Sequence, residues 1–379
     1  MAPDKFIGFN EVYLSGKEAA FVTDAVSRGS ISGDGIYSEK CEEFFRQKYG
    51  FRCALLTTSC THALEMAALL LDIQPGDEVI LPSFTYVSTA NAFALRGAKL
   101  RFADSLSWHP DVDPDAVAQL ITSRTKAIVP VHYAGMACDM KKIMGMATTD
   151  ISVVEDAAQC INATYYGAPL GTFGRVSAFS FHETKNITAG TGGMLVVNDE
   201  SLIERAEVIR NKGTNKAAFT RGEVSKYSWA GLGSSYAPNE ISSAFLFAQV
   251  GDIERVQQKR QEIWAMYYDL LQPLAGFGIQ LPVVPEGAGN NAHIFYLVCE
   301  TPEMRTRLIG YLAERNIQAV FHYQSLHASP YFRSQHDGRI LKNSDRYSDC
   351  LVRLPLHYNL TAENVQRVCS SLLEFVTRL

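Results

Sequence analysis

The sequence predicts an α/β fold: a large, mainly parallel sheet with helices on both faces, followed by a smaller C-terminal α+β unit. Three observations predict it. Short apolar runs alternate with amphipathic ones over residues 53–197, the pattern of strand–helix–strand units. Ser59, Tyr86, His132, Asp156 and Lys185 all lie just beyond such runs, and ligands of parallel sheets gather at carboxyl strand ends. The length of 379 residues suits one large domain and one smaller one. A long helical pattern over 239–271 links them, with domains at 1–250 and 251–379.

Taken in order, Ser15-Gly16-Lys17-Glu18 opens a helix carrying Ala20, Phe21, Val22 and Ala25, and 37–49 is a second helix with Phe44 and Phe45 on its apolar face. Between them, Gly33-Asp34-Gly35 follows no strand and lacks a third glycine, so it is a poor dinucleotide fingerprint. Residues 53–58 form a strand, and 61–71 a helix closed by Pro75-Gly76-Asp77. Strands over 78–81, 99–103, 127–132 and 151–154 alternate with helices over 87–95, 114–121 and 139–147. Strands 176–181 and 194–197 and a helix at 202–210 follow. The connection 211–235 is long, polar and aromatic, which inside a compact chain points to function. The smaller unit reads as strand 293–299, helix 305–314, strand 318–323, a short run at 352–356 and a terminal helix over 362–378.

Composition narrows the function. A net charge of −5 and a pI near 6.0 give no support for nucleic-acid or anionic-membrane binding. The eight cysteines include no CxxC pair, so they are expected to be free thiols in a reducing compartment, with no zinc or other metal. Met1-Ala2-Pro3-Asp4-Lys5 does not begin a leader, and no apolar window is long enough to span a membrane. A cytoplasmic protein is expected.

The chemistry centres on two strand ends. The run 151–154 leads into Glu155-Asp156, with Gln159 three residues on. The run 176–181 leads into His182-Glu183-Thr184-Lys185, then Gly190-Thr191-Gly192-Gly193. A lone loop lysine is most often solvated. Paired with a carboxylate at another strand end, it suits a lysine that forms a Schiff base with pyridoxal 5'-phosphate while Asp156 keeps the ring nitrogen protonated. The glycine turn permits close backbone packing around a ligand. Ser59-Cys60-Thr61 opens a helix; such hydroxyls serve as a cap, as an anion site with the backbone N–H groups, or as both. Ser180 is a second candidate phosphate ligand. Gln159 is placed to donate to the ring's phenolic oxygen, and Tyr86 stacks on the ring or packs into the core. His182 is a ring contact, a substrate contact or a satisfied loop histidine.

These segments resemble the nucleotide-sugar aminotransferase group of fold-type-I, aspartate-aminotransferase-like pyridoxal phosphate enzymes. The resemblance is carried by Thr57-Thr58-Ser59-Cys60-Thr61-His62-Ala63-Leu64, Val154-Glu155-Asp156-Ala157-Ala158-Gln159 and Ser180-Phe181-His182-Glu183-Thr184-Lys185. Pro130-Val131-His132-Tyr133-Ala134-Gly135, Gly233-Ser234-Ser235-Tyr236, Val320-Phe321-His322-Tyr323 and Arg353-Leu354-Pro355-Leu356 extend it nearly end to end. They are most similar to the branch that serves enterobacterial common antigen. The resemblance implies transfer of an amino group from L-glutamate to dTDP-4-keto-6-deoxy-D-glucose, with pyridoxamine 5'-phosphate as the aminated cofactor. It also implies a homodimer whose sites borrow residues across the interface, Ser235 among the cofactor ligands. Two departures stand out: Thr191 where the group usually has Glu, and Ser235 where many members have Asn. A dehydratase branch carries histidine in place of the Schiff-base lysine, so Lys185 favours transamination.

Substrate choice is expected to lie in the 30–37 loop, in 212–229 with Arg221, and at His322-Tyr323. Another keto-sugar nucleotide (the gluco epimer, a 3-keto sugar or a UDP-linked sugar) is the alternative within the class. Outside it, the absent GxGxxG argues against a nicotinamide dehydrogenase, and intact Lys185 and Asp156 argue against a non-catalytic regulatory protein.

Overall fold

A computed structural model describes residues 5–378; the reading of Met1-Ala2-Pro3-Asp4 as free of a leader lies outside them. Two helices, α1 (Glu18–Ser27) and α2 (Ile36–Tyr49), precede the first strand. Strand and helix then alternate through β1 (Cys53–Thr57), α3 (Cys60–Leu70), β2 (Glu78–Pro82), α4 (Val87–Ala94), β3 (Lys99–Ala103), α5 (Pro114–Ala118), β4 (Thr125–Ile128), α6 (Met140–Met144) and β5 (Ser152–Asp156). The short β6 (Thr164–Tyr165) and β7 (Ala168–Pro169) form a small hairpin ahead of β8 (Val176–Ser180) and β9 (Gly193–Val197). Next come α7 (Ile203–Arg210), α8 (Lys216–Thr220), α9 (Glu240–Val250) and α10 (Ile253–Leu271). The chain ends with β10 (Ala288–Gly289), β11 (Tyr296–Val298), α11 (Pro302–Ala313), α12 (Lys342–Cys350), β12 (Leu351–Arg353) and α13 (Ala362–Thr377).

Seven strands form one sheet in the order β1-β9-β8-β5-β4-β2-β3. Every pairing is parallel except the two made by β9. The link from β8 to β9 contains no helix, and without a crossover a neighbouring strand returns antiparallel. All residues of β1, β2, β5, β8 and β9 are buried, as expected for strands covered on both faces. Alternate residues feed two cores. Ala54, Leu56, Phe179, Met194 and Val196 join one, while Cys53, Leu55, Ala178, Leu195 and Val197 join the other. A third core gathers Tyr267, Leu308, Val352 and Leu372 of the C-terminal part and reaches Phe84 and Tyr133.

The terminal helix shows how the pattern works locally. Val365, Val368, Leu372, Phe375 and Val376 of α13 share one buried face. Thr361 and Asn364 close its start with a reciprocal capping box.

Three expectations need correction. The single helix expected over 239–271 is two, α9 and α10, broken at Gly251-Asp252; glycine and aspartate are poor helix formers, and Tyr13 donates its hydroxyl to Asp252 at 2.8 Å. The strand expected at 127–132 runs instead over Thr125–Ile128, because Pro130 has no N–H for the ladder, although its carbonyl still accepts the Asp156 N–H at 2.9 Å. The strand expected at 318–323 is reduced to a bridge between Val320 and Arg353. Tyr323 takes a φ of +47°, and the chain peels away from the sheet to line the site. No helix among the described residues is long and apolar enough to cross a membrane.

Candidate active site

A cavity of about 740 Å³ opens at the carboxyl edge of the large sheet, within the usual range for small-molecule sites. Strands β5 and β8 are parallel neighbours, with Asp156 beside Ala178. The end of one and the loop after the other therefore meet at one edge, and Asp156 and Lys185 both line the cavity.

Asp156 is buried. Its Oδ2 accepts the Thr89 hydroxyl at 2.7 Å, and its Oδ1 accepts the Ala158 N–H at 3.2 Å. The Thr85 and Thr89 hydroxyls lie 2.9 Å apart and fix each other. Burial pushes the Asp156 pKa up, against the pull of Thr89, the Ala158 N–H and the charge of Lys185. No ion pair to Asp156 exists among the described residues. A buried carboxylate in this condition is completed by a cation that a ligand brings, as a protonated pyridine nitrogen does.

Lys185 is held by its neighbours. Its N–H donates to the His182 carbonyl at 2.9 Å. Asn186 donates to the Asn291 carbonyl at 3.2 Å and accepts His293 Nδ1–H at 2.9 Å. Thr188 N–H donates to Gln249 at 2.9 Å. The Lys185 ammonium itself has no hydrogen bond or ion pair among the described residues. Burial, aided by the like charge of Arg353, lowers its pKa to about 8, although Cys60 and Asp156 act the other way. In the cofactor-free protein, amine labelling of Lys185 should follow a titration midpoint near pH 8. At that pH about one in 250 ordinary lysines is unprotonated, so Lys185 should label far ahead of surface lysines. Labelling in step with them would remove the basis for a poised amine.

Helix α3 points its first turn at the same cavity. Ser59 caps it, its Oγ accepting the His62 N–H at 3.1 Å, so the N–H groups of Cys60 and Thr61 remain for an anion. Thr61 and Ser88 hydroxyls lie 2.8 Å apart. Gly193 makes the cradle possible: a Cβ there would stand 2.3 Å from Cys60 N and from Ser59 C. Gly193→Ala should therefore push β9 away from α3 and cost about 1–3 kcal/mol. It should also weaken cofactor retention; an unchanged melting temperature together with unchanged retention would show that the contact is slack.

The remaining expected residues divide. Ser180, buried, and the exposed His182 and Tyr86 all line the cavity; His182 Nδ1 lies 3.2 Å from the Thr184 hydroxyl. Gln159 accepts the Ala134 N–H on Oε1 at 2.7 Å and donates through Nε2 to the Tyr323 hydroxyl at 3.0 Å. Tyr323 lines the site with its ring 6.1 Å from that of Tyr86. Arg221 and Ser235 do not line the cavity. Arg221 is held at the surface by Glu207 and Glu223, both at 2.8 Å, so within this chain it is a structural ion-pair residue. Ser235 is exposed and bridges to Asn211. Residues of the 30–37 and 212–229 loops are likewise absent from the lining. Thr89, His293 and Arg353 line the site without having been singled out from the sequence. Only Thr89 left a signal, a hydroxyl four residues after that of Thr85 in the turn that leads into α4.

The fold and this site define a class: an α/β enzyme in which a loop amine and a buried carboxylate share one cavity with a helix N-terminus, a constellation that fits pyridoxal phosphate. The chain belongs to the DegT/DnrJ/EryC1/StrS aminotransferase family, whose model matches residues 13–373. It is a pyridoxal-phosphate-dependent sugar aminotransferase. The uncharacterised protein MJ1066 of Methanocaldococcus jannaschii is 30% identical over 348 residues, 89% of each chain. DesV of S. venezuelae is 29% identical with a TM-score of 0.90, covering 100% of both chains. Spr1654 of Streptococcus pneumoniae, solved in its PLP form, shares the fold at 23% identity and a TM-score of 0.89, covering 99% of both chains.

Proposed function

We propose that this chain is dTDP-4-amino-4,6-dideoxygalactose transaminase, moving an amino group from L-glutamate to C4 of dTDP-4-keto-6-deoxy-D-glucose in the cytoplasm, for enterobacterial common antigen. The observation that carries the chemistry is the meeting of the Lys185 amine and the Asp156 carboxylate in one cavity at neighbouring strand ends, neither with an ion pair among the described residues. The substrate assignment is supported by the motif resemblance. Pyridoxal phosphate supplies an aldehyde for an amine to capture and a ring that accepts electrons.

The residues then have distinct tasks. Ser59, Cys60, Thr61 and Ser180 hold the phosphate, and Asp156 keeps a cationic nitrogen facing it. Tyr86 covers the ring, and the Gln159 amide, oriented by the Ala134 N–H, donates to the phenolic oxygen. Lys185 Nζ, once free, would take the proton from the donor's α-carbon and return it to the carbon on the far side of the transferred nitrogen, since its pKa near 8 lets it act in both directions near neutral pH. His182 and Tyr323 face the substrate. In a homodimer, Ser235 and Arg221 would act on the partner's site, where the exposed 211–235 stretch is free to reach.

The test is incubation of the holoenzyme with glutamate and a panel of 4-keto and 3-keto sugars linked to dTDP or UDP, with product ring position and configuration read by mass and NMR. An axial 4-amine on the dTDP sugar is expected. A 3-amine, an equatorial 4-amine or preference for UDP would replace this assignment.

A further inference from the structure

Besides the exposed His182, three histidines line the cavity, and their hydrogen bonds distinguish them. His132 uses both ring nitrogens inside the protein: Nε2 lies 3.1 Å from Glu155, and Nδ1 accepts the Cys138 N–H at 3.1 Å. His293 turns its Nδ1–H to the Asn186 oxygen at 2.9 Å, because the Asn186 amide donates to the Asn291 carbonyl at 3.2 Å. Burial keeps that ring neutral, so its Nε2 is an acceptor. His322 differs. Its Nδ1 lies 2.8 Å from the Tyr133 hydroxyl. That hydroxyl has no other partner among the described residues, and burial holds its pKa well above the ordinary phenol range, so it keeps its proton. Were it to accept from Nδ1, its own proton would be buried unpaired, which is costly. Tyr133 therefore donates, Nδ1 accepts, and the ring proton sits on Nε2. His322 Nε2 has no partner among the described residues and is not sealed in as His109 Nε2 is; it opens to the cavity that the ring lines. Burial, with the like charges of Lys185 and of Arg353, which has no ion pair among the described residues, holds the His322 pKa well below the ordinary histidine range. The ring is also held in place. Val320 exchanges backbone bonds with Arg353 at 2.7 and 3.1 Å, and the Tyr133 N–H donates to Asp111 at 2.9 Å. Tyr323 stacks on the imidazole at 3.6 Å and accepts the Gln159 amide at 3.0 Å.

We propose that His322 is a specificity residue for the amino acceptor, its Nε2–H donating to an uncharged oxygen of the keto sugar. This rests on the reading of the acceptor as a keto-sugar nucleotide. One cavity takes two molecules in turn. The donor, an α-amino acid, carries carboxylates, which pair best with cations. The sugar ring offers carbonyl, hydroxyl and ring oxygens, all uncharged. A neutral N–H matches them and leaves no buried charge uncompensated when the sugar is in place. A neutral imidazole held in one tautomer also polarises a carbonyl. Because Tyr133 and Tyr323 fix the ring beforehand, binding the sugar oxygen requires little further ordering. Tyr133 is a positioning residue: it acts through the tautomer and orientation of His322.

The test uses holoenzyme of wild type, His322→Phe, His322→Gln, Tyr133→Phe and the double variant Tyr133→Phe/His322→Phe. Loss of the cofactor's visible absorbance on adding glutamate reads the donor half-reaction. Return of that absorbance, when the aminated enzyme meets the keto-sugar nucleotide that wild type accepts in the panel above, reads the acceptor half-reaction. In His322→Phe, which keeps a flat ring against Tyr323, the efficiency of the acceptor half-reaction should fall roughly 10- to 100-fold, the loss expected when a buried oxygen is left without its donor. The efficiency with glutamate and the calorimetric Kd for dTDP should stay within about threefold, since neither ligand carries the keto sugar. His322→Gln, whose amide supplies an N–H, should recover part of the loss. Tyr133→Phe should show a smaller loss in the acceptor half-reaction alone, and the double variant should lose no more than His322→Phe, because the tyrosine acts through the histidine. An unchanged acceptor half-reaction in His322→Phe overturns the proposal. Equal losses in the two half-reactions also overturn it, by assigning the ring to the shape of the site. Additive losses in the double variant overturn the positioning role of Tyr133. Wild type that accepts no keto sugar of the panel overturns the acceptor reading and this assignment with it, a result seen before any substitution is made.

Discussion

Lys185→Ala should abolish transamination while leaving the cofactor-free protein folded. Turnover should fall by more than about 10⁴-fold, because positioned proton transfer alone contributes roughly 10²–10⁴-fold and the variant also loses the group that holds the cofactor. The fold should not suffer, since the ammonium makes no hydrogen bond or ion pair among the described residues, and the loop is anchored through Asn186 and Thr188. The sign of the pH effect follows from the depressed pKa of about 8. Between about pH 8 and the ordinary lysine value near 10.4, the unfolded chain binds the extra proton, so stability rises with pH across that window. Below about pH 8 the folded state carries the full cost of a buried ammonium. At pH 7, cofactor-free Lys185→Ala should therefore melt no lower than wild type, and any advantage should shrink by pH 10. Measured turnover in the variant, or a melting temperature lower at pH 7 than at pH 10 relative to wild type, would contradict this account of the amine.

Much of this site was legible because strand ends are legible. Apolar runs at 151–154 and 176–181 end in polar groups, and in a parallel sheet those ends share an edge, so Asp156 and Lys185 could be paired before any coordinates. The order of the strands was not readable. Nothing in the sequence of β9 announces that it runs antiparallel between β1 and β8; only the missing crossover helix hints at it. Arg353 was hidden for a different reason. An arginine in a short run normally reads as a solvated edge residue, and its lack of a counter-ion is a property of three dimensions. Arg221 shows another limit: a basic residue in a long polar loop suggests a ligand, and within this chain it is paired with Glu207 and Glu223 at the surface. Tyr323 was placed on a strand, yet its positive φ takes it off the sheet and into the cavity, which is what puts it within reach of Gln159.

Asp156→Asn should separate function from stability more cleanly than any other substitution here. Asparagine keeps the shape and the local bonds: its oxygen can accept the Ala158 N–H, and its amide can donate to Thr89, which then turns its proton toward Thr85. Only the charge is lost. Burial raises the Asp156 pKa in the cofactor-free protein, so the folded state holds a proton that the unfolded chain has released, and stability falls as pH rises from the ordinary carboxyl value through the raised one. At neutral pH the ionised group is thus a burden, and cofactor-free Asp156→Asn should melt at or above wild type. Turnover should move the other way. Without the carboxylate, a cationic nitrogen opposite position 156 loses its counter-charge, and removing one such preorganised group costs about 10²–10³-fold in rate. The stability difference should vanish in acid, where both side chains are neutral, whereas the rate defect should persist wherever the enzyme is active. Calorimetry across pH 4–8 alongside steady-state rates would read both. A variant that is destabilised in proportion to its lost activity would mean that Asp156 holds the fold together rather than the charge of the cofactor.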